Sequence, residues 1–154
     1  MNWIQLIGSF FGSVGFAMMF HLEGLSVLWT SLGGGMAWFV YLLIGNFYPF
    51  YGIQFLYASI ALGFYTEIMA KYTKMPRTAY IAVGIIPLIP GSALYHAMYS
   101  FLQKNMTDGK SYALEAVVTS TAIAAGLLIA MELYKIFRKV SVGWRVAEEL
   151  DNNK

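Results

Sequence analysis

The stretch "LSVLWTSLGGGMAWFVYLLIG", residues 25–45, runs for twenty-one residues without a charged side chain. A bilayer hydrocarbon core about 30 Å thick takes roughly 20 mostly apolar residues of helix, so such a run reads as a membrane span. Four others are comparably long and mostly apolar: Trp3 to Leu22, Tyr48 to Ala70 with Glu67 near its end, Ala79 to Leu102, and Ala113 to Phe137 with Glu115 and Glu132 near its ends. The chain is 58% hydrophobic and 12% charged, about half the charged fraction of an ordinary soluble domain. In lipid every backbone polar group must be satisfied inside the protein, which favours helices for runs of this length. The pattern predicts an all-α integral membrane protein of five transmembrane helices over residues 1–137, with a short charged tail over 138–154. The connections "EG", "NF", "KYTKMPRT" and "QKNMTDGKSY" leave no room for a soluble domain. The first run lacks a basic leader and is long enough to span, so a membrane helix is expected there rather than a cleaved signal.

Lysine and arginine set the orientation. Five spans put the termini on opposite sides. Lys71, Lys74, Arg77, Lys135, Arg138, Lys139, Arg145 and Lys154 then share the side of the C-terminus, and only Lys104 and Lys110 lie on the other. Eight against two places the C-terminus in the cytoplasm and the N-terminus outside. The basic residues fall in short clusters between apolar runs, a topology pattern and not a nucleic-acid footprint. With no cysteine, disulfides, thiolate metal sites and a cysteine nucleophile are excluded. Two histidines, His21 and His96, do not make a metal site by themselves, and no HExxH, GxSxG, P-loop or GxGxxG motif is present. Neither an enzyme nor a cofactor is implied. "NMT" at 105–107 matches a glycosylation sequon, a tripeptide short enough to arise by chance.

Small residues mark where helices would approach in lipid. Gly8 and Gly12 form a GxxxG pair with Gly15 on nearly the same face, and Ala116, Ser120 and Ala124 repeat every fourth residue. Gly33, Gly34 and Gly35 fit either close packing or a locally unwound segment. The fourth run carries the sharpest signal, "PLIPGS" at 87–92. Pro87 and Pro90 lack N–H groups, so the carbonyls of Val83 and Ile86 lose their helical partners. The break falls near the middle of the run, and Gly91 and Ser92 stand where a second half-helix would start. Such a start aims free N–H groups and a positive dipole end at the membrane interior, a natural place for a carboxylate. Broken helices at that depth build substrate sites in transporters, and ordinary proline kinks are also common in membrane helices; the spacing fits both.

Ionisable groups near this depth extend the pattern. His96 lies about 9 Å outward of the break, and an imidazole can accept or donate a proton. Glu67 lies about 12 Å inward of the centre of its run, where an ionisable group is a functional candidate by default. It also reads as a helix-end carboxylate paired with Lys71, four residues on. Glu115 and Glu132 sit nearer the interfaces, Glu132 with Lys135 as an i,i+3 partner.

"EIMAKYTKMPRTAYIAVGIIPLIPGSALYHAM", Glu67 to Met98, resembles the threonine/serine exporter family, and within it the short five-helix subunit type. The residues that carry the resemblance are the P-x-x-P-G of "PLIPG" followed by "LYHAM", an acid upstream, and a basic loop ending in proline. "GFAMMF", Gly15 to Phe20, is similar to the end of the family's first helix. Val83 stands where a further proline is expected, and "HLEG" replaces an expected asparagine and proline. The resemblance implies a subunit of a secondary transporter exporting threonine, serine or small carboxylates across the bacterial cytoplasmic membrane. It also implies a partner, a longer five-helix subunit of the same family; a homodimer is the other assembly considered. Pro87, Pro90, Gly91, Ser92, Tyr95 and His96 are the candidate substrate-binding residues, and Glu67 and His96 the candidates for proton coupling. A non-transporting assembly or regulatory subunit of a larger carrier is the alternative function.

Overall fold

The structure is a computed structural model that describes residues 3–48 and 50–151, with side chains as far as residue 139, Tyr51 excepted. Every described element is helical: α1 (Trp3–Met19), α2 (Leu25–Gly45), α3 (Tyr51–Thr73), α4 (Arg77–Gly84), a 3-10 turn (Ile86–Leu88), α5 (Gly91–Leu102) and α6 (Met106–Asp151). By length and composition α2, α3 and residues 106–139 of α6 suffice to cross a membrane, as does the pair Arg77–Leu88 and Gly91–Leu102 taken together across a 51° bend. The apolar α1 has 17 residues and spans about 26 Å.

Local chemistry decides where the helices stop. His21 adopts φ 56° after α1. Its N–H reaches Met18 O at 3.0 Å and the Leu22 N–H reaches Ala17 O at 3.1 Å, the paired bonds of a Schellman close. Lys104, φ 58°, ends α5 in the same way, with Lys104 N–H on Phe101 O at 3.0 Å and Asn105 N–H on Ser100 O at 2.9 Å. The turn between α5 and α6 is therefore shorter than the expected connection over 103–112. Asn105 is the reason: its Nδ2 donates to Asp108 Oδ2 at 2.7 Å and its Oδ1 accepts from Asp108 N–H at 3.3 Å, starting α6 at Met106. At its other end α6 continues past Phe137 to Asp151, so the helix covers most of the charged tail; residues 152–154 lie outside the described part.

α3 lies at the centre, packed on α2, α4 and α6. Its apolar contacts form the main core, Phe55, Ala58 and Leu62 against Ala37 of α2, Leu88 of the 3-10 turn and Ile123 of α6. Close approach of α3 and α6 depends on Gly126, where a Cβ would fall on Ser59 Oγ and 2.6 Å from the Leu56 carbonyl oxygen. The face α6 buries is Ala116, Thr119, Ile123 and Ala130. Ser120 and Ala124 are exposed, so the four-residue repeat anticipated from sequence is not the packed stripe.

Two other small-residue expectations resolve differently. Gly33, Gly34 and Gly35 are buried inside an uninterrupted α2, which sets aside local unwinding in favour of packing. Gly8, Gly12 and Gly15 face open space, and α1 instead buries Ser13 and Ala17. Outside the core, large apolar side chains such as Ile4, Phe11, Leu28, Leu114 and Leu128 are exposed, the surface expected of a protein solvated by lipid tails.

Candidate functional site

The site begins with two missing donors. Ile85 N–H completes the α4 ladder at 2.9 Å from Ile81 O, and Pro87 cannot continue it. The chain tightens to 3-10 bonds, Leu88 N–H to Ile85 O at 2.8 Å and Ile89 N–H to Ile86 O at 3.3 Å. The Ile86 carbonyl is thus taken up within the turn and is not left free, a correction to the reading from proline spacing alone. Ile89 is extended, φ −61° and ψ 126°, as a residue before proline prefers. The first backbone bond of α5 is Leu94 N–H to Pro90 O at 3.1 Å, so the Ser92 and Ala93 amides at its head lack an intrahelical acceptor.

The two halves part company at this break. α4 lies against α2 and α3, whereas α5 packs on α6. Ala93, Ala97 and Ser100 form the buried face of α5. Pro87 is half-buried beside Gly34 of α2, where a Cβ would lie 3.4 Å from Pro87 Cγ and on top of Ser13 Oγ. Pro87 also lines a groove of about 290 Å³ with Gln5, Gly8, Gly12, Trp38 and Ile86. Pro90 is buried. Gly91, Ser92, Tyr95 and His96 are exposed, His96 at the edge of the face that packs on α6, and a Cβ at Gly91 would meet open space. The His96 ring centroid lies 5.3 Å from that of Tyr112 on α6 and 5.4 Å from that of Tyr95. The six candidate residues therefore divide: Pro87 opens to the groove beside α1, Pro90 is buried at the break, and the four α5 residues open to the outer surface of the chain.

Glu67 is elsewhere. It is buried, and Arg77 Nη1 donates to its Oε1 at 2.8 Å. Its partner is Arg77, ten residues on at the start of α4; Lys71, proposed from i,i+4 spacing, is exposed and forms no ion pair with it. The turn through Pro76 folds Arg77 back over the last turns of α3, a contact that helical spacing does not reveal. From Arg77 to the break is about 15 Å along α4, so Glu67 and His96 are not brought together. Lys135 Nζ does meet Glu132 Oε1, at 2.6 Å and exposed.

Sequence reasoning missed the neutral polar groups inside. Among the described residues Ser13 Oγ, Ser31 Oγ, Thr66 Oγ1 and Trp38 Nε1 are buried without a hydrogen-bond partner. A buried polar group left unpaired costs about 1–3 kcal/mol. Ser13 and Trp38 both lie beside the broken helix, Ser13 against Gly34 and Trp38 along the groove. The available signal was a set of hydroxyls within apolar runs, Ser13 and Ser31 mid-run and Thr66 beside Glu67, which reads as ordinary helix packing.

The family described as "Threonine/Serine exporter, ThrE" matches residues 5–133. The threonine/serine exporter of Corynebacterium glutamicum is 31% identical over 72 residues, 47% of this chain and 15% of that protein. The probable threonine/serine exporter of Mycobacterium tuberculosis (strain ATCC 25618 / H37Rv) is 29% identical over 73 residues, 47% of this chain and 14% of that protein. The chain thus aligns with a small part of the length of these relatives. No solved structure matches it.

Proposed function

Because the chain belongs to the threonine/serine exporter family, we propose that it is one subunit of a secondary transporter that exports threonine, serine or small carboxylates across the bacterial cytoplasmic membrane. In this reading it crosses five times, through α1, α2, α3, the bent α4–α5 pair and α6, with its N-terminus outside and its C-terminus in the cytoplasm. Its partner is a longer five-helix subunit of the same family.

The observation that carries this is the uncovered start of α5. Ser92, Tyr95 and His96 are exposed on a helix that begins inside an apolar run. Free amides and an imidazole facing hydrocarbon are costly, and a second subunit against this face would turn them into the wall of a cavity. There the α5 amides and the Ser92 hydroxyl would hold the substrate carboxylate. Pro87, Pro90 and Gly91 would keep the helix open at that level. His96 on this face is a candidate proton carrier. Glu67 is another, and its coupling would require opening of the Arg77 pair. The exposed Gly8, Gly12 and Gly15 face of α1 offers a second place for close helix approach.

The test is efflux of labelled threonine, serine and small dicarboxylates from cells carrying the chain, the longer subunit, or both. Efflux that needs both supports the proposal. Full efflux from the longer subunit alone would refute it and make this chain a non-transporting assembly subunit.

A further inference from the structure

A second cavity lies at the start of α4, well away from the break. It has a volume of about 360 Å³ and sits between the α3–α4 turn and α6, lined by Lys71, Arg77, Tyr134 and Arg138 over the buried Glu67 carboxylate. An adjoining cavity of about 360 Å³ adds Ile136, Lys139 and the paired Glu132 and Lys135. Among the described residues, cations at this end outnumber the acids that pair with them. Arg77 is neutralised by Glu67 and Lys135 by Glu132, but Lys71, Lys74, Arg138 and Lys139 have no ion-pair partner among the described residues. Glu23, in the turn between α1 and α2, is exposed and forms no ion pair either. Arg77 is held by its ion pair, and Lys71 and Arg138 stand free to donate.

The surroundings indicate the kind of anion. Ile136 lines the cavity and Phe137 beside it is exposed, and Ile68 and Tyr72, flanking Lys71 on α3, are exposed as well. Cations next to uncovered apolar side chains at the end of long apolar helices match a molecule with an anionic head and hydrocarbon chains. A small soluble anion would use the cations and leave the apolar flank unused.

We propose that this cavity binds the phosphate headgroup of an anionic phospholipid, with Lys71 and Arg138 on the phosphate, Tyr134 beside it and the acyl chains along the exposed apolar flank. The proposal does not depend on the identity of the exported substrate. Basic residues near an anionic surface each contribute enough that losing two weakens binding about 30-fold.

The test uses the full-length chain in neutral detergent, with thermal unfolding followed by tryptophan fluorescence. Phosphatidylglycerol added to the micelles is expected to raise the midpoint saturably, and phosphatidylcholine is not. Lys71→Gln with Arg138→Gln should move the half-saturating phosphatidylglycerol fraction upward about 30-fold. The charge-keeping pair Lys71→Arg with Arg138→Lys should retain binding, as should Lys104→Gln with Lys110→Gln at the opposite end. An unchanged response in the first double variant would overturn the proposal, as would the same stabilisation by inorganic phosphate or by threonine without lipid.

Discussion

The Glu67–Arg77 pair offers a perturbation whose size follows from its geometry. The Glu67 side chain is 3% exposed and that of Arg77 47%, and they meet at 2.8 Å. Removing one partner of a fully buried pair costs about 3–5 kcal/mol, because the other charge is left uncompensated in a poor solvent. Here solvent reaches one side of the arginine, so Arg77→Gln should cost less, about 2–3 kcal/mol. Glu67→Gln keeps an oxygen that accepts from Arg77 and should cost about 1–2 kcal/mol. The double variant removes both charges together and restores a neutral hydrogen bond. It should therefore be more stable than the two single costs combined imply, by a coupling of about 1–2 kcal/mol. Equilibrium unfolding of all four proteins in mixed micelles, read by tryptophan fluorescence, measures this directly. Additive costs, with a coupling within about 0.3 kcal/mol of zero, would show that the pair does not tie α4 to α3.

Other expectations are narrower. Gly126→Ala drives a methyl group onto Ser59 Oγ and the Leu56 carbonyl and should destabilise by about 1–3 kcal/mol in the same unfolding assay; Ser59→Gly should rescue only part, since the carbonyl stays. His21→Gly relieves a left-handed residue at the close of α1 and should stabilise by about 0.5–1 kcal/mol after the added freedom of the unfolded chain is counted; a loss of stability would contradict the Schellman close. Topology is open to single introduced cysteines because the chain has none of its own: Lys104→Cys should react with an impermeant thiol reagent from outside intact cells, and reaction only from the cytoplasmic side would reverse the assignment.

Much of the helical layout was legible because length and apolar content suffice to place a helix in lipid. The break was legible too, since two prolines and a glycine act on the backbone wherever they stand. What the pattern did not reveal depended on contacts between elements. Nothing in the spacing tells Gly8 and Gly12, which face open space, from Gly34 and Gly126, which touch neighbouring helices. Helical periodicity offers Lys71 to Glu67, whereas the proline turn delivers Arg77. The early start of α6 rested on one asparagine side chain amid residues that look like loop. For the candidate site the sequence offers only a list of residues. That Pro87 opens toward α1 while Ser92 and His96 open outward follows only from the divergence of α4 and α5.

The central claim is that the exposed start of α5 becomes the wall of a watery, substrate-binding cavity once a second subunit covers it. Ser92→Cys tests this most directly, because Ser92 is exposed and the chain supplies no competing thiol. The rate of its reaction with a small water-soluble thiol reagent should be measured in membranes containing the chain together with the proposed longer subunit, with and without threonine or serine. Reaction is expected in the assembled complex, at a rate that falls, saturably, as the amino acid is added. Reaction only with a lipid-soluble reagent, at a rate indifferent to both partner and amino acid, would mean that this face meets lipid and that the break is a kink.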